Sequence, residues 1–468
     1  MKVKKTALLA TVTLLAAFGV FVFEYKKQVD DVIKNDLEAR IVVFQKDQIN
    51  FIEIQKNPAN NQTKYVMQKG PDGWSILEPV QDSADNDQIE SLLDILTTEK
   101  SMTVAKESAD PTQLKLAEFG LESPYTVFNF KNNLGHSQKI YLGSQKNFEG
   151  NSFIRVDSQN KVLVASPVWH TKAEQNLMTY REKRLYRESL SKVKVVEVTS
   201  LTDKFTLNRG DSVWTSPKYP QFVLDQNKVR TMLKQIAESS VQDYVFDGEP
   251  SNSLVQEKRL VKAPVAVTFH TAQSNWSVVV NQHEKDNAVY AMTDRPTNLV
   301  KIDPTRWELF GNLSLDSLRD RSSQFKFALH EVSKVYFKNE LVELSFAKDK
   351  DEWKSTQPVP PETDFSPVEL VKLIGKIHDL EVSEFLDAEF KQKAPLALSA
   401  KNMLILKSAT DNLIMQFNWG PEVKLIKNGQ PKDYFYARTS LGDSVFALEK
   451  NFVERIDLQQ AFKKKDQP

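Results

Sequence analysis

Three segments of the chain place apolar residues on a single helical stripe. Counted from Asp85, Asp225 and Ser366, positions 4, 7, 8 and 11 are apolar every time. They are Ile89, Leu92, Leu93 and Leu96; Val229, Met232, Leu233 and Ile236; and Leu370, Leu373, Ile374 and Ile377. That spacing predicts three amphipathic helices, each with one buried face. The three residues counted from are N-cap types, whose side-chain oxygen accepts from an orphan N–H of the first turn. After Ser366, Pro367 stands at the first helical position and Glu369 completes a capping-box pattern. Between these stripes the pattern changes to period two. Tyr65–Met67, Phe205–Leu207 and Leu344–Phe346 alternate as strands with one buried face do.

The alternation and the stripes keep a fixed register with tryptophan. Trp74, Trp214 and Trp353 lie 140 and 139 residues apart, with Tyr65, Phe205 and Leu344 each nine residues earlier. Offset 19 from each cap gives Val104, Tyr244 and Phe385, read as the strand after the helix. Later strands recur too. Pro124 and Pro264 each stand 50 residues after their tryptophan, whereas the third copy departs with Ala394-Pro395. Strands ending at Gly143, Asn281 and Gly420 follow, and then Val162–Ala165, Leu299–Ile302 and Val445–Leu448. Charged joints link the copies: Tyr180-Arg181-Glu182-Lys183 and Leu318-Arg319-Asp320-Arg321. They carry no glycine run and read as short ordered connections, which predicts a stiff arm. The expected fold class is α+β: three tandem repeats at 38–178, 179–316 and 317–460, each a mostly antiparallel or mixed β-sheet packed by one main helix. A tail of 461–468 remains.

The N-terminus has a different pattern. Lys2, Lys4 and Lys5 precede an uncharged run of 18 residues from Thr6 to Phe23. At 1.5 Å per residue it spans roughly 27 Å, close to a ~30 Å hydrocarbon core. No small-x-small cleavage site follows Phe23. The expectation is a cytoplasmic head at 1–5, a transmembrane helix at 6–23 acting as an uncleaved signal-anchor, and a juxtamembrane segment at 24–37. The three N-terminal lysines favour a cytoplasmic N-terminus, although Lys26 and Lys27 weaken the asymmetry. This predicts a single-pass inner-membrane protein whose C-terminal body lies in the periplasm or outside the cell.

Composition narrows the chemistry. The 468 residues hold no cysteine, which excludes disulfides, thiolate metal sites and a cysteine nucleophile. The 62 basic and 62 acidic side chains balance, so no global field attracts nucleic acid, and no nucleic-acid partner is expected. Only 14 glycines occur, well below the usual ~7%, which disfavours glycine-rich phosphate loops. The six histidines, His136, His170, His270, His283, His330 and His378, form no His-x-x-x-His pair. Asp82, Asp85 and Asp87 open like a calcium loop, but the loop glycine is missing and Leu93 stands where the closing glutamate belongs. No catalytic, cofactor or metal residue is therefore assigned, and the chain is read as a non-enzyme. Trp74, Trp214 and Trp353 would serve as glycan-stacking platforms if exposed, but a residue fixed in every repeat is more often core. Tyr434 and Tyr436 flank Phe435 in an alternating stretch and are candidate partner contacts.

The residues Trp74, Gly120-Leu121-Glu122-Ser123-Pro124, Leu142-Gly143 and Arg181-Glu182-Lys183-Arg184 carry a family resemblance. The chain resembles the bacterial domain-of-unknown-function 4340 family, most weakly in its third repeat. The resemblance implies an extracytoplasmic, membrane-tethered companion of an ABC transporter of the gliding-motility type. Its partner would be a permease or auxiliary subunit. The resemblance assigns no catalytic residue. The resulting expectation is a membrane-anchored accessory or scaffold protein, with a cell-envelope glycan- or lipid-binding module as the alternative.

Overall fold

The computed structural model describes residues 39–60, 63–157, 159–283, 287–386, 401–427 and 430–464. By contact the chain divides into two compact units, 1–184 with 240–249, and 185–239 with 250–468.

The first sheet is built from β1 (Ile49–Lys56), β2 (Thr63–Gly70), β3 (Gly73–Glu78), β4 (Asp82–Ser83), β5 (Thr103–Glu107), β6 (Thr126–Asn132), β7 (Ser137–Lys146), β8 (Ser152–Val156) and β9 (Lys161–Ala165). Its order is β4-β3-β2-β1-β6-β7-β8-β9-β5, with antiparallel neighbours throughout. Two meanders therefore meet where β1 pairs with β6. The helix α1 (Asn86–Thr98) carries the chain from β4 to β5 at the opposite edge. Its stripe Ile89, Leu92, Leu93 and Leu96 is buried against Ile52, Ile54, Phe128, Phe130, Ile140 and Leu142. Those residues alternate along their strands, so one face of the sheet and one face of the helix close a single core.

In the second unit, β10 (Val195–Thr199), β11 (Lys204–Arg209), β12 (Trp214–Thr215), β14 (Val265–His270), β15 (Asn275–His283), β16 (Ala288–Asp294) and β17 (Thr297–Ile302) run in the order β12-β11-β10-β14-β15-β16-β17. The intervening strand β13 (Val241–Asp247) falls in the first unit's grouping. The third sheet contains β18 (Lys334–Lys338), β19 (Glu343–Asp349), β20 (Glu352–Ser355), β22 (Glu384–Phe385), β23 (Asn402–Lys407), β24 (Leu413–Lys427), β25 (Gln430–Thr439) and β26 (Phe446–Glu449). It repeats the order, β20-β19-β18-β23-β24-β25-β26-β22. A separate two-stranded pair joins β21 (Thr363–Phe365) to β27 (Phe462–Lys464). The helices α2 (Gln226–Ala237) and α3 (Pro367–His378) bury the stripes predicted for them.

The caps form as their chemistry requires. Asp85 accepts from the Gln88 N–H, Asp225 from the Asn227 and Lys228 N–H groups, and Ser366 from the Glu369 N–H. The residue after the cap then ties the helix to the tryptophan hairpin. The Trp74 N–H donates to Asn86 Oδ1 at 2.7 Å, and the Trp214 N–H donates to Gln226 Oε1 at 2.8 Å. Gly73 permits the first of these. Its φ is +113°, and a Cβ there would stand 2.6 Å from Asn86 Oδ1.

Two expectations are corrected. The α+β assignment behind a transmembrane helix gives way, among the described residues, to mostly antiparallel sheets, about 42% strand against 23% helix, in four sheets. The physical reason is that each long helix of 12 or 13 residues serves a sheet of many strands, and most other helical segments are single turns. The single-pass inner-membrane placement is corrected too, because no helix among the described residues is long and apolar enough to cross a membrane. The 6–23 run on which it rested, the 1–5 head and the 24–37 segment all lie outside the described residues. Part of the tail is paired. Phe462–Lys464 pairs with Thr363–Phe365, and Lys463 Nζ lies 3.0 Å from Glu369.

Candidate functional site

The charged joints draw polar residues together around a buried arginine. Arg181 follows a short helix, Leu177–Tyr180, and is 3% exposed. Its Nε and Nη2 donate to Asp82 Oδ2 at 2.8 and 2.6 Å. Its Nη1 and Nη2 donate to the two Asp247 oxygens at 3.1 and 2.6 Å. The guanidinium carbon lies 3.2 Å from the Tyr244 ring centroid, and the Tyr244 hydroxyl donates to the Glu182 carbonyl at 2.6 Å. Burial works against this charge, but the Asp247 and Asp82 carboxylates outweigh it, so the Arg181 pKa rises above the ordinary arginine value. All four side chains belong to the first unit. A planar fork with five donors is the cation that can satisfy two carboxylates and lie flat on a ring at once.

Arg319 takes the same place in the next joint with different chemistry. Its guanidinium carbon lies 3.7 Å from the Phe222 centroid and 3.3 Å from that of Phe385, so two rings hold it. Nη2 donates to Ser444 Oγ at 2.6 Å, and Nη1 to Asp316 at 3.3 Å. Burial lifts the Asp316 carboxyl above the usual range, although Arg319 and Arg321 beside it act in the opposite sense.

Backbone bonds confirm that the two sites are equivalent. The N–H of Asp85 donates to Tyr180 O and that of Asp225 to Leu318 O, both at 2.8 Å. Ala84 bridges Arg181, and Leu224 bridges Arg319. The third copy keeps this framework and changes the side chain. The Ser366 N–H donates to Ala461 O at 2.7 Å, and Phe365 pairs with Phe462. Phe462 thus stands where the other two repeats have arginine, its ring centroid 5.9 Å from those of Phe365 and Phe346.

Sequence reasoning located these joints and the aromatic residues at offset 19 without bringing them together. The signal was present: arginine recurs at one place in two joints, and Tyr244 and Phe385 recur at one place after two caps. Trp74, Trp214 and Trp353 are all buried, at 3, 4 and 6% exposure, and offer no stacking face to a glycan. Tyr434 is fully buried and presents no surface to a partner. Tyr436 is half-buried against Val445 and Leu386. Phe435, between them, stacks edge-on to Phe452 and lines an open cleft of about 640 Å³ with Leu341, Trp419, Pro421 and Val453. Glu422 at that cleft is ion-paired with Lys450. Asp85 is a helix cap and Asp82 an arginine partner, so neither is arranged as a calcium ligand. Among the described residues no group of three or more acidic or histidine side chains is placed to hold a metal.

Residues 74–259 match the family model described as Domain of unknown function (DUF4340). The chain carries a DUF4340 domain. The match begins at Trp74 of the first repeat and runs past the helix of the second, so it takes in Asp82, Arg181, Tyr244 and Asp247 together. The DUF4340 stretch thus spans the whole first arginine clasp rather than one repeat. No curated protein and no solved structure matches the chain.

Proposed function

We propose that this DUF4340 protein is a non-enzymatic accessory or scaffold protein whose repeats present recognition surfaces to an ABC transporter of the gliding-motility type. The observation that carries the reading is the use made of Arg181 and Arg319. Both arginines gather charged or aromatic groups of their own chain at its joints, which is the economy of a repeat protein. Recognition in such a protein falls to sheet edges and to open clefts such as that beside Phe435. The transporter is the partner that the family resemblance implies. With the three repeat tryptophans buried, a glycan-binding reading would have to rest on other surfaces.

The test is co-purification after crosslinking in the native host, with the full chain tagged and extracted in detergent. A permease or auxiliary transporter subunit recovered in stoichiometric amount supports the proposal. Recovery of the chain alone contradicts it.

A further inference from the structure

The face of the third sheet turned away from α3 differs from its counterparts in the other repeats. In each repeat the two central strands set a pair of residues opposite one another on that face. The pairs are Glu53 with Asn129, Glu197 with Thr268, and Tyr336 with Ile405. The first member always stands between two core residues: Ile52 and Ile54, Val196 and Val198, Val335 and Phe337. Its side chain therefore turns to the opposite face. A polar pair in two repeats thus becomes an apolar pair in the third. Two positions along, Lys131, His270 and Lys407 keep a basic residue opposite Phe51, Val195 and Lys334. Only the third repeat adds a second cation there. Tyr336, Met403 and Ile405 are half-buried and line an open cleft of about 560 Å³. That volume lies within the ~300–1,000 Å³ of small-ligand sites, which are mostly apolar with a few placed polar groups. At the charged end Lys334 Nζ lies 2.6 Å from the Asp411 carboxylate, and Lys407 Nζ lies 4.0 Å from it. The hydrogen bond from Lys334 holds the Asp411 carboxyl below the usual range. Two cations therefore share one anion, and Lys407 has no other ion pair or hydrogen bond among the described residues.

We propose that this cleft binds a free, single-chain anionic amphiphile of the fatty-acid kind. The apolar tail lies along Tyr336, Ile405 and Met403, and the carboxylate sits beside Lys407, where positive charge is in excess. Charge complementarity selects the head group: a cationic head of equal tail length meets two lysines instead. The first two repeats cannot do the same, because Glu53 and Glu197 put a like charge where the tail would lie. The proposal goes beyond the scaffold reading and stands independently of the transporter.

The probe is a diazirine-bearing fatty acid photolysed with the full chain, its adducts located by peptide mass spectrometry. Saturable labelling of residues 334–347 and 403–411 is expected. Monomeric octanoate, decanoate and laurate should compete, each added methylene tightening binding by up to about fourfold, whereas decyltrimethylammonium should not compete. Tyr336→Glu and Ile405→Asn give those positions the residue types of the first repeat, and each should cut labelling there about tenfold. Lys407→Gln should raise the laurate needed for half-competition about threefold. Circular dichroism of the three variants confirms that they fold. Labelling that is absent from this face, that ignores Tyr336→Glu and Ile405→Asn, or that the cationic amphiphile blocks as well as decanoate does, overturns the proposal. If phosphatidylglycerol vesicles block the labelling and monomeric laurate does not, a membrane surface is the occupant and the proposal falls.

Discussion

Arg181 carries two carboxylates and an aromatic ring on one guanidinium. Its removal would leave the Asp82 side chain, 2% exposed, as a buried negative charge without its cation. Breaking a buried pair in this way costs about 3–5 kcal/mol, far more than the ~0–1 kcal/mol of an exposed pair. Arg181→Ala should lower the stability of the first unit by that amount in urea unfolding, whereas Lys115→Ala, which loses an exposed pair with Glu118, should change it little. His170 supplies a second test at this scale. Burial, aided by the charge of Lys146, holds its imidazole below the ordinary histidine value, and Nδ1 lies 2.7 Å from Ser152 Oγ. A proton bound more weakly in the folded state gives stability that is full above the unfolded-state value of ~6.5 and declines as pH falls towards the folded-state value. The first unit should therefore melt at a lower temperature at about pH 5 than at neutral pH. His170→Gln should narrow that gap, and a gap of unchanged size contradicts the assignment.

At the scale of elements, the helices were the most legible part of the sequence. A stripe at 3.6-residue spacing and a cap are local features, so Asp225, Val229, Met232, Leu233 and Ile236 announce α2 without knowledge of the sheet. Leu233, 3% exposed, sits among close neighbours, and Leu233→Ala should cost about 2–5 kcal/mol in chemical denaturation because the site refills only partly. A cost within error of zero would mean that the stripe is not core. The strands were legible one at a time, but their order was not. β1 pairs with β6 across seventy positions or more, and nothing in either segment names the other. The alternation around Tyr434 tells which residues share a face and not which face turns inward, so a candidate contact proved buried. The bulge between Val104 and Lys106 on β5 is likewise invisible to period-two reading.

At the scale of the whole molecule, the recurrence of tryptophans, caps and joints was readable because the repeat multiplies each weak signal. The clasps were not, since Arg181 and Asp82 stand 99 positions apart and only folding brings them together. The clasp also accounts for the grouping of residues 240–249 with the first unit: Tyr244 and Asp247 are held there by Arg181, and the Val241 N–H donates to Lys183 O at 2.7 Å. Phe462, in the third copy, keeps the backbone framework while presenting a ring instead of a cation, as terminal repeats with altered faces do. The claim that arginine clasps organise the repeats is tested most directly by amide hydrogen exchange on the full chain, wild type against Arg181→Ala. The account predicts faster exchange confined to residues 240–249 and the joint around Glu182, with α2 and the third sheet unchanged. Unaltered exchange at 240–249, or acceleration spread evenly along the chain, would contradict it.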